Sequence, residues 1–286
     1  AFELDPAFAA DTFEFVPPTD NPMLDEEAYA FGEQTHEVVE GFFSLISFLN
    51  EDPELMSSQL APGVTLLASA ANSLVISYDD GLAVIEAPDS PRHGTSIVDS
   101  LGLTFPGLPI THIIQSHHHY DHAGGVRSLV AAGATAVVGN GTATLWDTVL
   151  SAESTIRPDV LSQSDVEPTV IEVDMDDTFT LEDENVTITV HHASDNAHSA
   201  DMLIPVIDIG GQRFVYVSDL YNGGFGFTVV LGGPPSFFDV MRDKGIIDAS
   251  CVSAVPLTIV PAHGIPQTLG ESLAELAGLG IDVGCP

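Results

Sequence analysis

The stretch ITHIIQSHHHYDHAGG, residues 110–125, most narrows what this chain can fold into. Within six positions, His117 to His122, it holds four histidines and an aspartate, in a chain with 11 histidines in all. Imidazole is the commonest protein metal ligand and carboxylate a good companion. The apolar run before the cluster reads as a buried strand, and GGVRSLVAAG after it reads as a short helix stopped by Gly133. A strand, a polar turn and a helix in that order belong to an open α/β sheet. Such sheets place their sites at the carboxyl ends of strands.

The surrounding pattern fits such a sheet. From Val64, VTLLASA, SLVISYD and LAVIEAP read as strands separated by turn residues, followed by a helix over 92–101. ATAVVG reads as a strand and GTATLWDTVLSA as a helix, before a polar loop at 153–168. A second strand set follows, TVIEV, FTL, VTITVHHA, DMLIPVIDI, RFVYVSD and LTIVPAH, with helices expected at 236–248 and 268–279. Two strand-rich sets, each closed by helices, imply two sheets face to face with helices outside. Residues 1–58, acidic and Pro-containing with one apolar helical stretch at Glu37–Leu49, read as an extension packing on a core domain of residues 59–286.

Three further polar residues stand at edges of apolar runs: His198 in DNAHSADML, Asp219 at the end of RFVYVSD and His263 at the end of LTIVPAH. Each alone has a plain reading as a cap or a satisfied histidine. Together with the cluster they resemble the metallo-β-lactamase superfamily. His117, His119, Asp121 and His122 match its HxHxDH signature, with His118 and Tyr120 at the variable positions. His198, Asp219 and His263 follow in the order of its later ligands, and residues 62–280 are similar throughout. The resemblance implies an α/β fold of αββα type, two mixed sheets with helices outside. It implies two Zn2+ per chain, with iron or manganese as alternatives. His117, His119 and His198 would hold the first ion, Asp121, His122 and His263 the second, and Asp219 both. A metal-bridged water, deprotonated near neutral pH, would be the nucleophile, and Asp121 would orient it or carry a proton. In an extended segment His118 faces away from a site that His117 and His119 face. His36 and His93 read as solvated, and His112 as lying at a strand entry; His191 or His192 could support a ligand.

Charge trims the reactions open to such a fold. The chain has 42 acidic against 6 basic residues, a net −36. That repels nucleic acid and anionic membranes, and a nuclease groove is excluded. Anionic thioester and β-lactam substrates call for a cation, and no lysine or arginine follows Asp219 until Arg242. The chain looks most like secreted-type metallo-hydrolases with HHHxDHAGG, and an uncharged ester or lactone is the expected small-molecule substrate. A β-lactamase-like or thioester hydrolase and a mononuclear iron oxygenase are the alternatives. The loop after Asp219, with Tyr221, Phe225 and Phe227, is the candidate apolar wall for that substrate.

Two cysteines, Cys251 and Cys285, read either as a disulfide pinning the C-terminal segment or as unrelated thiols. With the sequons at Asn140 and Asn185 and a start at Ala1, the disulfide points to a secreted or periplasmic protein. The cytoplasm of a salt-adapted organism is the alternative, because an acidic surface also keeps a protein hydrated in brine.

Overall fold

The structure is a computed structural model that describes residues 55–69, 71–155, 158–193, 196, 198–224 and 233–286. All fall within one compact unit, Glu40–Pro286. The first sheet runs in sequence order: β1 (Met56–Ala61), β2 (Val64–Ala68), β3 (Ser73–Tyr78), β4 (Gly81–Ile85), β5 (Ile110–Ile114), β6 (Thr135–Gly139) and β7 (Val170–Val173). Its first four strands form an antiparallel meander, and β4 to β7 are parallel. Parallel neighbours need crossovers. These are α1 (Pro91–Thr104), the pair α2 (Tyr120–Ala123) and α3 (Val126–Ala131), and α4 (Ala143–Ser151).

The second sheet is built from β8 (Thr178–Glu182), β9 (Val186–His192), β10 (Leu203–Ile209), β11 (Gln212–Ser218), β12 (Leu257–Pro261) and β13 (Gln267–Thr268). It is antiparallel except where β11 meets β12, which α5 (Gly233–Asp243) joins in parallel. The last helix is α6 (Leu269–Gly278).

Side-chain alternation sorts the apolar residues into three layers. Leu74, Ile76, Ile85 and Ile114 of the first sheet meet Ile188, Val190, Leu203 and Tyr216 of the second in the core between sheets. Val75, Val84, Ile113 and Val138 point the other way, onto Ile97, Leu101, Leu129 and Trp146. On the outer face of the second sheet, Ile204, Val215 and Ile259 pack on Phe237, Phe238, Met241 and Leu276. Strands buried on both faces read as continuous apolar runs, hence LAVI and ITHII. The layers are helix, sheet, sheet, helix, as the sequence pattern implies.

Two expectations shift. The helix expected at 236–248 begins at Gly233 and ends at Asp243. Pro234 and Pro235 fit a first turn, where no amide donor is needed, and Gly245 at φ +67 closes the end. His93 is buried rather than solvated: its Nδ1 lies 3.0 Å from Asp89 and its Nε2 3.2 Å from Ser69 Oγ. The expected helix at Glu37–Leu49 lies outside the described residues. Cys251 and Cys285 are joined in a disulfide, with Cα atoms 5.6 Å apart. No helix among the described residues is long and apolar enough to cross a membrane.

Candidate metal centre

The parallel pairs β4/β5 and β11/β12 direct their carboxyl ends to one edge of the sandwich, and the candidate residues follow those ends. Glu86 follows β4, His117 to His122 follow β5, Asp219 follows β11 and His263 follows β12. His198 comes from the loop joining β9 to β10. His119 caps α2 in an extended conformation, so His117 to His119 are strand-like while Asp121 and His122 sit on a single helical turn. Gln115 holds that turn from below, donating to the carbonyls of His117 (3.2 Å) and His122 (2.8 Å). Gly124 permits the close approach: a Cβ there would lie 2.1 Å from the Asp89 carbonyl oxygen.

All seven expected ligands come together, in two groups. In the first, His117 Nε2 lies 2.9 Å from His119 Nδ1 and 3.1 Å from His198 Nε2. In the second, His122 Nε2 lies 3.0 Å from Asp219 Oδ2 and 3.4 Å from Asp121 Oδ2, and His263 Nε2 lies 3.4 Å from Asp121 Oδ2. Asp219 reaches both groups, with Oδ2 also 3.4 Å from His198 Nε2 and Oδ1 3.6 Å from His263 Nε2. Nitrogens on ~2.0–2.1 Å bonds to one tetrahedral ion stand roughly 3.3 Å apart, close to these spacings. Asp121 Oδ1 and Asp219 Oδ1, both buried, have no hydrogen-bond partner among the described residues. A buried carboxylate oxygen without a donor is costly, and a divalent cation satisfies it. These residues therefore fit a pair of metal ions.

The electrostatics prepare the same arrangement. Burial, then the neighbouring imidazoles His122, His198 and His119, holds the His117 ring well below its usual range, so it stands neutral with a lone pair available. His122 is opposite: burial disfavours its charge, but the carboxylates of Asp219, Glu86 and Asp121 outweigh it and raise the ring well above its usual range. Burial opposes ionisation of Asp121 and Asp219 too, yet their histidine neighbours, His122 first, hold both carboxyls well below the usual range.

Sequence reading missed the groups behind the ligands. Glu86 is fully buried, at φ +64, and accepts from His122 Nδ1 at 2.8 Å, from Ser218 Oγ at 2.9 Å and from Ser116 Oγ. Tyr216 OH lies 2.9 Å from the same carboxylate, and Ser116 Oγ lies 2.9 Å from His117 Nδ1. Ser218, next to Asp219, also has positive φ, +50. Non-glycine residues in that region each cost ~1–3 kcal/mol and cluster at functional sites. The available signal was an acid closing an apolar run in LAVIEAP, the same signal that marked Asp219. His118 belongs to neither ligand group, although its ring stands edge-on to that of His119 at 4.9 Å; its Nδ1 lies 3.0 Å from Asp201, whose same oxygen accepts from Ser199 Oγ. Buried His192 makes no side-chain hydrogen bond to any of the seven among the described residues.

Of the expected substrate wall, Phe225 and Phe227 lie outside the described residues. Tyr221 is buried in the outer core, its hydroxyl 2.6 Å from Gln267 Oε1 and 3.0 Å from Glu275 Oε2. Among the described cations, Arg127 is engaged by Asp159 and by carbonyls of Val149 and Leu150, and Arg213 by Asp208. Arg242 is engaged by Asp239 and the Val283 carbonyl, and Lys244 by Asp243.

Residues 103–223, which contain the cluster, His198 and Asp219, match the family described as the beta-lactamase superfamily domain. No curated protein matches the chain in sequence. Among solved structures, a metallo-beta-lactamase from Pontibacter korlensis superposes with a TM-score of 0.55 at 16% identity, covering 79% of this chain and 98% of its own. A metallo-beta-lactamase from Hirschia baltica gives 0.51 at 16% identity, covering 80% and 98%. A B3 metallo-beta-lactamase with an active-site glutamic acid gives 0.54 at 18% identity, covering 82% and 93%.

Proposed function

We propose that this chain, which belongs to the metallo-β-lactamase superfamily, is a dinuclear metal-dependent hydrolase of uncharged esters or lactones. The observation that carries the reading is the convergence of seven His and Asp side chains into two adjoining groups that share Asp219. His117, His119 and His198 would hold one ion, Asp121, His122 and His263 the other, and Asp219 both. Zinc suits this His and carboxylate set, and iron and manganese are the competing ions. Bound ions in such a pair supply a deprotonated water near neutral pH and stabilise the developing oxyanion.

The chain's own groups do the rest. Glu86 fixes the His122 tautomer by accepting from Nδ1, leaving Nε2 as ligand atom. Ser116 does the same for His117 at Nδ1. Asp121, held ionised by His122 and His263, would ligate the second ion and orient the nucleophilic water from there. An anionic substrate needs a matched cation; of the five described cations Arg127, Arg213, Arg242 and Lys244 are each engaged by other groups, and Arg92 lies in the first turn of α1. That supports an uncharged one. The disulfide supports an oxidising compartment, hence secretion.

The deciding experiment is a panel of neutral esters, lactones, thioesters and β-lactams offered to protein loaded with zinc, iron or manganese, with metals counted per chain. Turnover of esters or lactones by two-zinc protein is the expected result. Turnover of β-lactams or thioesters alone, or an active one-iron protein that consumes oxygen, overturns this reading.

A further inference from the structure

His117, Asp219 and His263 stand just past strand ends, whereas His198 hangs from the loop between β9 and β10. Asn196 clamps that loop from within. Its Oδ1 accepts from the backbone N–H groups of His198 and Ser199, both at 2.8 Å, and its Nδ2 donates to the carbonyls of Ala193 and Ser199, both at 2.6 Å. The clamp fixes the shape of the loop. It does not set the loop against His117 and His119, which come from the other sheet.

Two side-by-side contacts do that. Leu203 N donates to the Ser116 carbonyl at 2.7 Å, joining the start of β10 to the residue before His117. Asp201 supplies the other. Its Oδ1 lies 3.0 Å from His118 Nδ1 and also accepts from Ser199 Oγ. His118 sits in the chain between the ligands His117 and His119, and Ser199 directly follows the ligand His198. The Asp201 backbone is itself seated on the first sheet, because its carbonyl oxygen leaves no room for a Cβ at Gly139 of β6. The Asp201 side chain is 3% exposed and that of His118 44%. A buried carboxylate costs stability unless it is paired, and both partners of this one are neighbours of first-group ligands.

We propose that Asp201 is a positioning residue for the first ion. Its carboxylate ties the segment carrying His117 and His119 to the loop carrying His198, so that the three imidazoles of the first group keep their spacing. It acts through His118 and Ser199, which belong to neither ligand group. Glu86 meets His122 of the second group directly; Asp201 gives the first group a carboxylate of its own. This rests on the two-ion reading above and deepens it: affinity for the first ion can be lowered with the second left in place.

The test reads one ion at a time in the full-length chain, by chelator competition for zinc. His263→Ala removes a ligand of the second group, so the zinc that variant holds reports the first; His198→Ala reports the second in the same way. In the His263→Ala background, Asp201→Ala should weaken zinc about 10- to 100-fold, the scale for groups that orient a ligand. In the His198→Ala background it should change affinity by less than about twofold, as for independent sites. Asp201→Asn keeps Oδ1 as an acceptor and should bind the first ion about tenfold more tightly than Asp201→Ala does. His118→Ala cuts the tie from its exposed end and should weaken the first ion about tenfold. Added to Asp201→Ala it should do little more, because the two share one contact. It also decides the matter if Asp201→Ala does not fold. Unchanged first-ion affinity in His118→Ala, equal weakening in both backgrounds, or Asp201→Asn as weak as Asp201→Ala overturns the assignment. Ester turnover plays no part in these measurements. A chain that binds two ions and hydrolyses no ester or lactone ends the hydrolase reading and leaves Asp201 to be decided by the affinities; a wild-type chain that binds no zinc overturns both.

Discussion

Glu86 Oε2 lies 2.8 Å from His122 Nδ1, and both side chains are fully enclosed. A carboxylate in that position makes the imidazole a better donor to a cation on its far side and prevents the ring from turning. Glu86→Gln keeps the shape and removes the charge. Affinity for the second ion should fall about 10- to 100-fold, with the first ion retained. Chelator competition followed ion by ion checks this, and equal affinities for both ions in variant and wild type would count against it.

The metal-free protein should carry a proton that metal must expel. His122 is raised well above 6.5 by its three carboxylate neighbours against the opposing effect of burial. A raised histidine adds stability that is fully present below its unfolded value, and this stability is lost as pH rises through the folded value. At pH ~7 the metal-free ring is therefore charged, and zinc binding should release about one proton per chain. Titration with zinc in buffers of different ionisation enthalpy measures it. Metal affinity should weaken as pH falls, and binding without proton release at neutral pH would contradict the assignment of His122.

Asp219→Ala should remove both ions and all hydrolysis together, since Asp219 approaches histidines of both groups, His198 on one side and His122 on the other. Elemental analysis after dialysis is the measurement. A variant that kept two ions per chain would end the bridging role.

The Cys251–Cys285 bond spans 34 residues and pins the segment after α6 to the outer face of the second sheet. Thiol titration of unfolded, unreduced protein should find no free thiol. Cys285→Ala should cost about 2–4 kcal/mol of stability with metal content unchanged, measured by denaturant unfolding. Loss of metal in that variant would show that the C-terminal segment acts on the site.

Arg127, through its hydrogen bonds, holds the Asp159 carboxyl down to about 2 from 3.8. A lowered carboxyl stabilises the fold above its unfolded value and stops doing so as pH falls through the folded one. The pair should therefore lose its contribution between pH ~4 and ~2, and Asp159→Asn should flatten the acid limb of the stability curve in that window. Melting midpoints across pH 2 to 6 test it, and an unchanged slope would show that the pair contributes little.

The central strands were legible because they are covered on both faces, which makes runs such as LAVI, ITHII and RFVYV continuous. The centre was legible because its ligands are chemically conspicuous and close apolar runs. What escaped depends on contacts distant in sequence. Glu86 acquires its role only when β4 pairs with β5, which brings it to His122, and when the second sheet packs on the first, which brings it to Ser218, 132 residues away. His93 reads as polar surface until Asp89 and Ser69 enclose it.

One last consequence follows from where the seven side chains originate. Four come from the first sheet's edge and three from the second's, so the centre works as a vernier for the alignment of the two layers. A slip of one residue along a strand is ~3.3 Å, larger than the 3.0 Å that separates His122 Nε2 from Asp219 Oδ2. Substitutions deep in the core, at Ile85 or Tyr216 for example, should thus register as altered coordination spectra well before they register as unfolding.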